Sequence, residues 1–121
     1  MKKSDDSGRP STLDELCSAL RQFAAERDWD QFHSPKNLAM ALTVEAAELL
    51  EHFQWIKEGM PAELSPEKRT QIEEELADVL LYLVRLADKL GVDLLEAARK
   101  KLEVNARKYP AEQVRGSSKK Y

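Results

Sequence analysis

Ile72, Leu76, Val79, Leu83, Leu86 and Leu90 recur in alternating steps of four and three residues without a gap. That is the period of one face of an α-helix, and no strand pattern satisfies it, so this stretch predicts a long amphipathic helix. Ser65-Pro66-Glu67 opens it, with serine as cap and proline at the first helical position, and Gly91 ends it. One residue is out of place. Asp78 interrupts the apolar run from Leu76 to Val84, and a carboxylate covered by apolar neighbours needs a partner.

A second helix repeats the anomaly. Leu38, Leu42, Glu45, Leu49, His52 and Ile56 trace a stripe that begins at Ser34-Pro35 and is predicted to run to about Lys57. Glu45 fills a slot where the spacing requires a core residue. Glu45-x-x-Glu48 and Glu75-x-x-Asp78 each place two carboxylates three residues apart, hence on one helix face. Lys and Arg are absent from residues 37–56 and 70–84, so no nearby cation neutralises them. The short connector predicts that the two helices are antiparallel. If they face each other, four hard oxygen ligand groups converge, a set that suits Mg²⁺ or Mn²⁺ better than zinc. Magnesium held by carboxylates keeps positions open for water and substrate phosphates, which leads to a phosphoryl or nucleotidyl site. With 34% of the chain charged, such pairs also arise by chance. Glu48/Glu51 and Asp93/Glu96 are further examples, the latter explained by a capping box. Spacing alone leaves a metal site and an exposed acidic face level; the apolar surroundings favour the metal.

The rest of the chain is consistent with a single helical domain. At 121 residues and 42% hydrophobic it has room for one small core, which oligomerisation would help. A net charge of −3, with basic residues scattered, argues against a general nucleic-acid binder. The longest apolar stretch, around residues 76–87, is broken by Asp78 and Arg85 and is too short for a membrane span. There is no secretory signal pattern, and the single Cys17 falls on a helical apolar position, so a cytoplasmic protein is expected. Residues 1–10 read as a mobile tail, 11–110 as the helical domain and 111–121 as a polar tail. Ser11 or Thr12 caps a first helix that runs to about Glu26. The connector 27–34 concentrates Trp29, Phe32 and His33, and loops of that kind often carry function. Asp93 caps a fourth helix running to about Lys108, which Pro110 stops. The expected fold class is all-α, four helices with polar ends.

Glu45-x-x-Glu48 followed by Glu75-x-x-Asp78 on the next long helix resembles the motif of the MazG-like, all-α nucleoside triphosphate pyrophosphohydrolases. The stretches Glu26 to His33, Phe53-Gln54-Trp55, Glu74 to Val84 and Arg115-Gly116-Ser117 resemble in particular the branch of that family acting on dCTP. The resemblance covers about residues 12–121. It implies a four-helix bundle assembled as a homo-oligomer, dimers forming a tetramer, with base pockets near the subunit contacts. It implies Mg²⁺-dependent hydrolysis of a (deoxy)nucleoside triphosphate to monophosphate and pyrophosphate, with dCTP or related pyrimidine deoxynucleotides preferred, in cleansing or balancing the nucleotide pool. On that resemblance Glu45, Glu48, Glu75 and Asp78 are the metal ligands and catalytic carboxylates. Trp29, His33 and Trp55 line the base pocket and Tyr82 lies near the sugar. Lys101, Asn105, Lys108 and Tyr109, with Lys120 and Tyr121 of a tail that orders on binding, face the phosphates.

From the residues alone the same positions have plainer roles: Trp29 and Trp55 as core anchors, His33 ending a turn, Tyr82 as core with its hydroxyl paired, and the lysines as solvated surface. Two other classes of function are distinguishable. A carboxylate-bridged di-iron bundle needs Glu-x-x-His pairs, which the helices lack. A non-catalytic helical module that pairs its acidic stripes with a basic partner predicts no stabilisation by metal.

Overall fold

In the computed structural model, which describes residues 8–118, each of the four long helices starts at a side-chain cap that sequence predicts. The Thr12 hydroxyl accepts the Glu15 amide at 3.1 Å to open α1, Leu13–Glu26. Ser34 and Ser65 do the same for the Asn37 and Lys68 amides, opening α2, Pro35–Glu51, and α3, Pro66–Lys89, each with proline in its first turn. Asp93 accepts the Glu96 amide at 3.0 Å to open α4, Leu94–Lys108. Gly91 follows α3 at φ +68, the left-handed geometry that lets a chain leave a helix.

Two boundaries differ from expectation. α2 stops at Glu51 rather than near Lys57. The amides of His52 and Phe53 turn back to the carbonyls of Leu49 and Leu50, three residues away, at 3.2 and 2.9 Å, which tightens the last turn and ends the α-helical ladder. The tail after Pro110 begins with a short helix, α5, Ala111–Val114, whose turn is closed by Val114 N–H to the Pro110 carbonyl at 3.2 Å. The connector between α1 and α2 also contains a 3₁₀ turn, Asp30–Phe32. The described residues are thus all-helical, with five α-helices and no strand.

The chain divides into two compact units, one ending at Gly91 and the other starting at Val92. In the first, α3 is the centre: α2 packs along it and α1 packs on it more lightly. Pairings of Glu45 with Asp78, Glu48 with Glu75 and His52 with Lys68 step in opposite directions along α2 and α3, so the two helices are antiparallel. The buried apolar residues are Ala24, Leu38, Ile72, Val84 and Ala87. Full burial of a side chain such as Leu38 contributes about 2 kcal/mol, so this core is modest. The covered face of α3 is not quite the predicted stripe. Leu76 and Leu90 are more than half exposed, whereas the carboxylates Glu75 and Asp78 are partly covered. Two helices pack on α3, and in the single chain the Leu76 side remains outward.

Candidate functional site

α2 and α3 position the acidic pairs as one turn of each helix laid against the other. One carboxylate oxygen from each of Glu45, Glu48 and Glu75 lies within 4.8 Å of the other two. Asp78 joins the group beside Glu45, whose carboxyl it helps to raise. Burial, then the hydrogen bonds to Glu48 and Asp78 and their negative charge, push the Glu45 carboxyl up to about 7. Glu75 is raised as well, by burial and then by the charges of Glu48 and Asp78. Among the described residues no lysine or arginine forms an ion pair with any of the four.

These residues fit a cation. Glu75 Oε2 is buried without a hydrogen-bond partner, the only such side-chain atom among the described residues. An orphaned carboxylate oxygen inside a group of carboxylates is satisfied by a bound cation or by protonation. The donors are all hard oxygens, the set expected for Mg²⁺ or Mn²⁺.

Asp78 also lines an adjoining cavity of about 250 Å³, together with Leu20, Phe23, Trp29, His33, Tyr82 and Arg85. Phe23 and Trp29 meet edge to face, ring centroids 5.7 Å apart. The cavity is therefore aromatic and apolar, with a carboxylate, an imidazole and a guanidinium at its wall. The connector that carries Trp29 and His33 is held by charge. Arg85, whose side chain is 5% exposed, donates to Asp30 Oδ1 at 2.6 Å, to Asp88 Oδ2 at 3.2 Å and to His33 Nδ1 at 3.2 Å. Lys89 donates to the same Asp30 oxygen, and Arg21 grips Asp88 through both Nε and Nη2. These cations hold Asp30 and Asp88 below the usual carboxylate range, chiefly through the hydrogen bonds from Lys89 and Arg21 respectively. Burial, then the positive charge of Arg85, lowers the His33 imidazole, so His33 is neutral near pH 7.

Of the residues selected from sequence, the structure brings Glu45, Glu48, Glu75 and Asp78 together and places Trp29, His33 and Tyr82 on the neighbouring cavity. Trp55 lies past the end of α2, 90% exposed and outside that cavity's lining. Lys101, Asn105 and Lys108 lie at four- and three-residue steps along α4 in the second unit, and the Lys108 ammonium sits over the Tyr109 ring. Lys120 and Tyr121 lie outside the described residues. Sequence reasoning missed Arg85, Asp30 and Asp88. Their signal was present in Arg85, a lone cation in the apolar run of α3 with an aspartate one turn on.

Together these features define an all-helical protein with an acidic site suited to a hard divalent cation. The chain belongs to the MazG-like family, whose model matches residues 40–121. It is 49% identical over 112 residues to dCTP pyrophosphatase 1 of Homo sapiens, a match covering 91% of this chain and 66% of that protein. The protein of the same name from Bos taurus is 47% identical over the same shares. The chain thus spans about two thirds of the length of these curated relatives. Among solved structures, a pyrophosphatase from Archaeoglobus fulgidus superposes with a TM-score of 0.76 at 42% identity, covering 84% of this chain and 95% of that one.

Proposed function

We propose that this chain is a metal-dependent nucleoside triphosphate pyrophosphohydrolase that converts a (deoxy)nucleoside triphosphate and water to the monophosphate and pyrophosphate, with dCTP or a related pyrimidine deoxynucleotide preferred. The observation that carries the reading is the convergence of Glu45, Glu48 and Glu75, with a buried orphan oxygen, beside an aromatic cavity that shares Asp78. The names of its relatives support the same activity. Glu45, Glu48, Glu75 and Asp78 would hold Mg²⁺, with Mn²⁺ as a substitute; when bound, the ion neutralises triphosphate charge, polarises the phosphoanhydride and acidifies water.

The chain's own groups do the remaining work. One of the four carboxylates orients the attacking water and takes its proton. Trp29 and the apolar wall of the cavity offer a surface for a base, with Tyr82 toward the sugar. The remaining aromatic and cationic assignments, Trp55 to the base and Lys101, Asn105, Lys108, Tyr109, Lys120 and Tyr121 to the phosphates, belong to the same proposal. So does assembly as a dimer of dimers with base pockets near the subunit contacts. The exposure of Leu50, Trp55 and Met60 on the single chain supports such assembly. No helix among the described residues is long and apolar enough to cross a membrane, and a role in the cytoplasmic nucleotide pool completes the reading.

Purified protein with Mg²⁺, offered the ordinary nucleoside and deoxynucleoside triphosphates and 5-methyl-dCTP, tests it by phosphorus NMR. Monophosphate plus pyrophosphate is expected, lost without metal and in Asp78→Asn. Diphosphate plus orthophosphate would move the point of attack, and no turnover of any nucleotide would sink the assignment.

A further inference from the structure

Arg85 is 4% exposed, the one buried charged residue among the described residues. Asp30 and Asp88 neutralise it and occupy its two Nη groups. Its remaining donor, Nε–H, is directed at His33 Nδ1 at 3.2 Å. A guanidinium has donors only and stays charged at any pH a protein survives, so Nδ1 is the acceptor in this bond and carries no proton. The single proton of the neutral ring is therefore on Nε2. Among the described residues nothing hydrogen-bonds Nε2, and the ring lines the cavity.

We propose that Arg85 is a positioning residue that holds His33 as its Nε2–H tautomer, so that the cavity wall presents a fixed N–H donor which selects bases offering a bare ring nitrogen there. Cytosine, whose N3 is an acceptor, satisfies such a donor; uracil and thymine, whose N3 carries a proton, do not. The tautomer stands on the hydrogen bond alone; the selection of a base rests on the nucleotide reading above. A wall imidazole free to exchange tautomers would offer an acceptor there part of the time and discriminate less. Asp30 and Asp88 act one step further out, fixing the orientation of the guanidinium.

The test begins with the ¹⁵N-labelled full chain, free of metal and nucleotide. Long-range nitrogen–proton NMR correlations distinguish the two ring nitrogens. The chain has only two histidines, so a His52→Gln protein assigns them. At pH 7.5, His33 is expected to show an unprotonated Nδ1 and a protonated Nε2. In Arg85→Met the ring is expected to exchange between tautomers, and in Arg85→Lys, which keeps a cationic donor, largely to retain the original one. In kinetics, Arg85→Met raises KM for dCTP about two- to threefold, as expected when the donor tautomer is only part of the population and the ring is less firmly aimed, with a much smaller change in kcat. KM for dTTP changes less, so discrimination narrows, and Arg85→Lys restores most of the loss.

A wild-type His33 protonated on Nδ1 overturns the proposal without any variant, which covers the case in which Arg85→Met does not fold. An unchanged tautomer and unchanged KM in Arg85→Met overturns it too. So does an equal loss of kcat on every nucleotide in both variants together with a lower melting temperature, since that is the mark of a clamp with no role in selection. If no nucleotide is hydrolysed at all, the functional reading and base selection fall, and the spectra still decide the tautomer.

Discussion

Glu45 on α2 faces Asp78 on α3, and burial, then its carboxylate neighbours Glu48 and Asp78, push the Glu45 carboxyl up to about 7. Below that pH a proton sits inside the acidic cluster, in the place where a cation at the proposed site would supply the positive charge.

The first consequence is a pH dependence of the metal-free protein. Glu45 has a carboxyl raised from its ordinary 4.5 to about 7 in the folded chain. Between those values the folded state binds more protons than the unfolded one, so stability falls as pH rises through the window. In EDTA, the melting temperature is expected to decline from pH 4.5 to 7 relative to Glu45→Gln, whose neutral side chain removes that component. Thermal unfolding of the two proteins across this range checks it. A difference that grows in the wild type's favour with pH would contradict it.

A metal ion at the proposed site would reverse that cost. A divalent cation that binds the folded chain alone, at ten times its Kd, stabilises by about 1.4 kcal/mol, or roughly 5 °C in a domain of this size. Mg²⁺ should therefore raise the melting temperature of the wild type and do little for Glu75→Gln, which loses the orphan oxygen. Differential scanning calorimetry with and without Mg²⁺ reads the result. Equal shifts in the two proteins would place the ion elsewhere.

The charge network on the other side of α3 predicts an order of effects. Asp88 is 11% exposed and serves both Arg21 and Arg85, whereas Arg21 is 62% exposed. Asp88→Ala strips a buried guanidinium of one partner and should cost about 3 kcal/mol. Arg21→Ala removes a largely solvated arm and should cost much less. Urea denaturation ranks them, and the reverse order would show that Asp30 alone satisfies Arg85.

Gly59 supplies a steric prediction. It sits at φ +79, and a Cβ there would lie 2.6 Å from Phe53 Cδ1, while Gly91 at φ +68 has open space around it. Both alanine substitutions incur the left-handed backbone cost of about 1 kcal/mol. Gly59→Ala must in addition displace the Phe53 ring, so its melting temperature should fall further than that of Gly91→Ala.

Helix starts were legible because Thr12, Ser34, Ser65 and Asp93 announce themselves through side chains that satisfy local amides. The acidic site was legible because Glu45 and Asp78 break apolar stripes. The end of α2 was not, since the apolar period continues to Ile56 and nothing local marks the change to three-residue hydrogen bonds at His52 and Phe53. Arg85 was missed for a different reason. Its partners Asp30 and His33 are more than fifty residues away in the chain, and only the packing of the connector on α3 brings them within reach. The same long range explains why Leu76 reads as core and yet lies half exposed.

The four carboxylates come from two helices, and the loop between them contributes none. Their spacing is therefore set by how closely α2 lies on α3, and that is governed by the apolar side chains of both. Mg²⁺ accepts oxygens at about 2.0–2.1 Å and Ca²⁺ at about 2.3–2.6 Å. If the site holds an ion as proposed, apolar side chains with no chemistry of their own would act as its gauge of ionic radius, and a methylene added or removed between these helices is expected to change which ion the protein accepts.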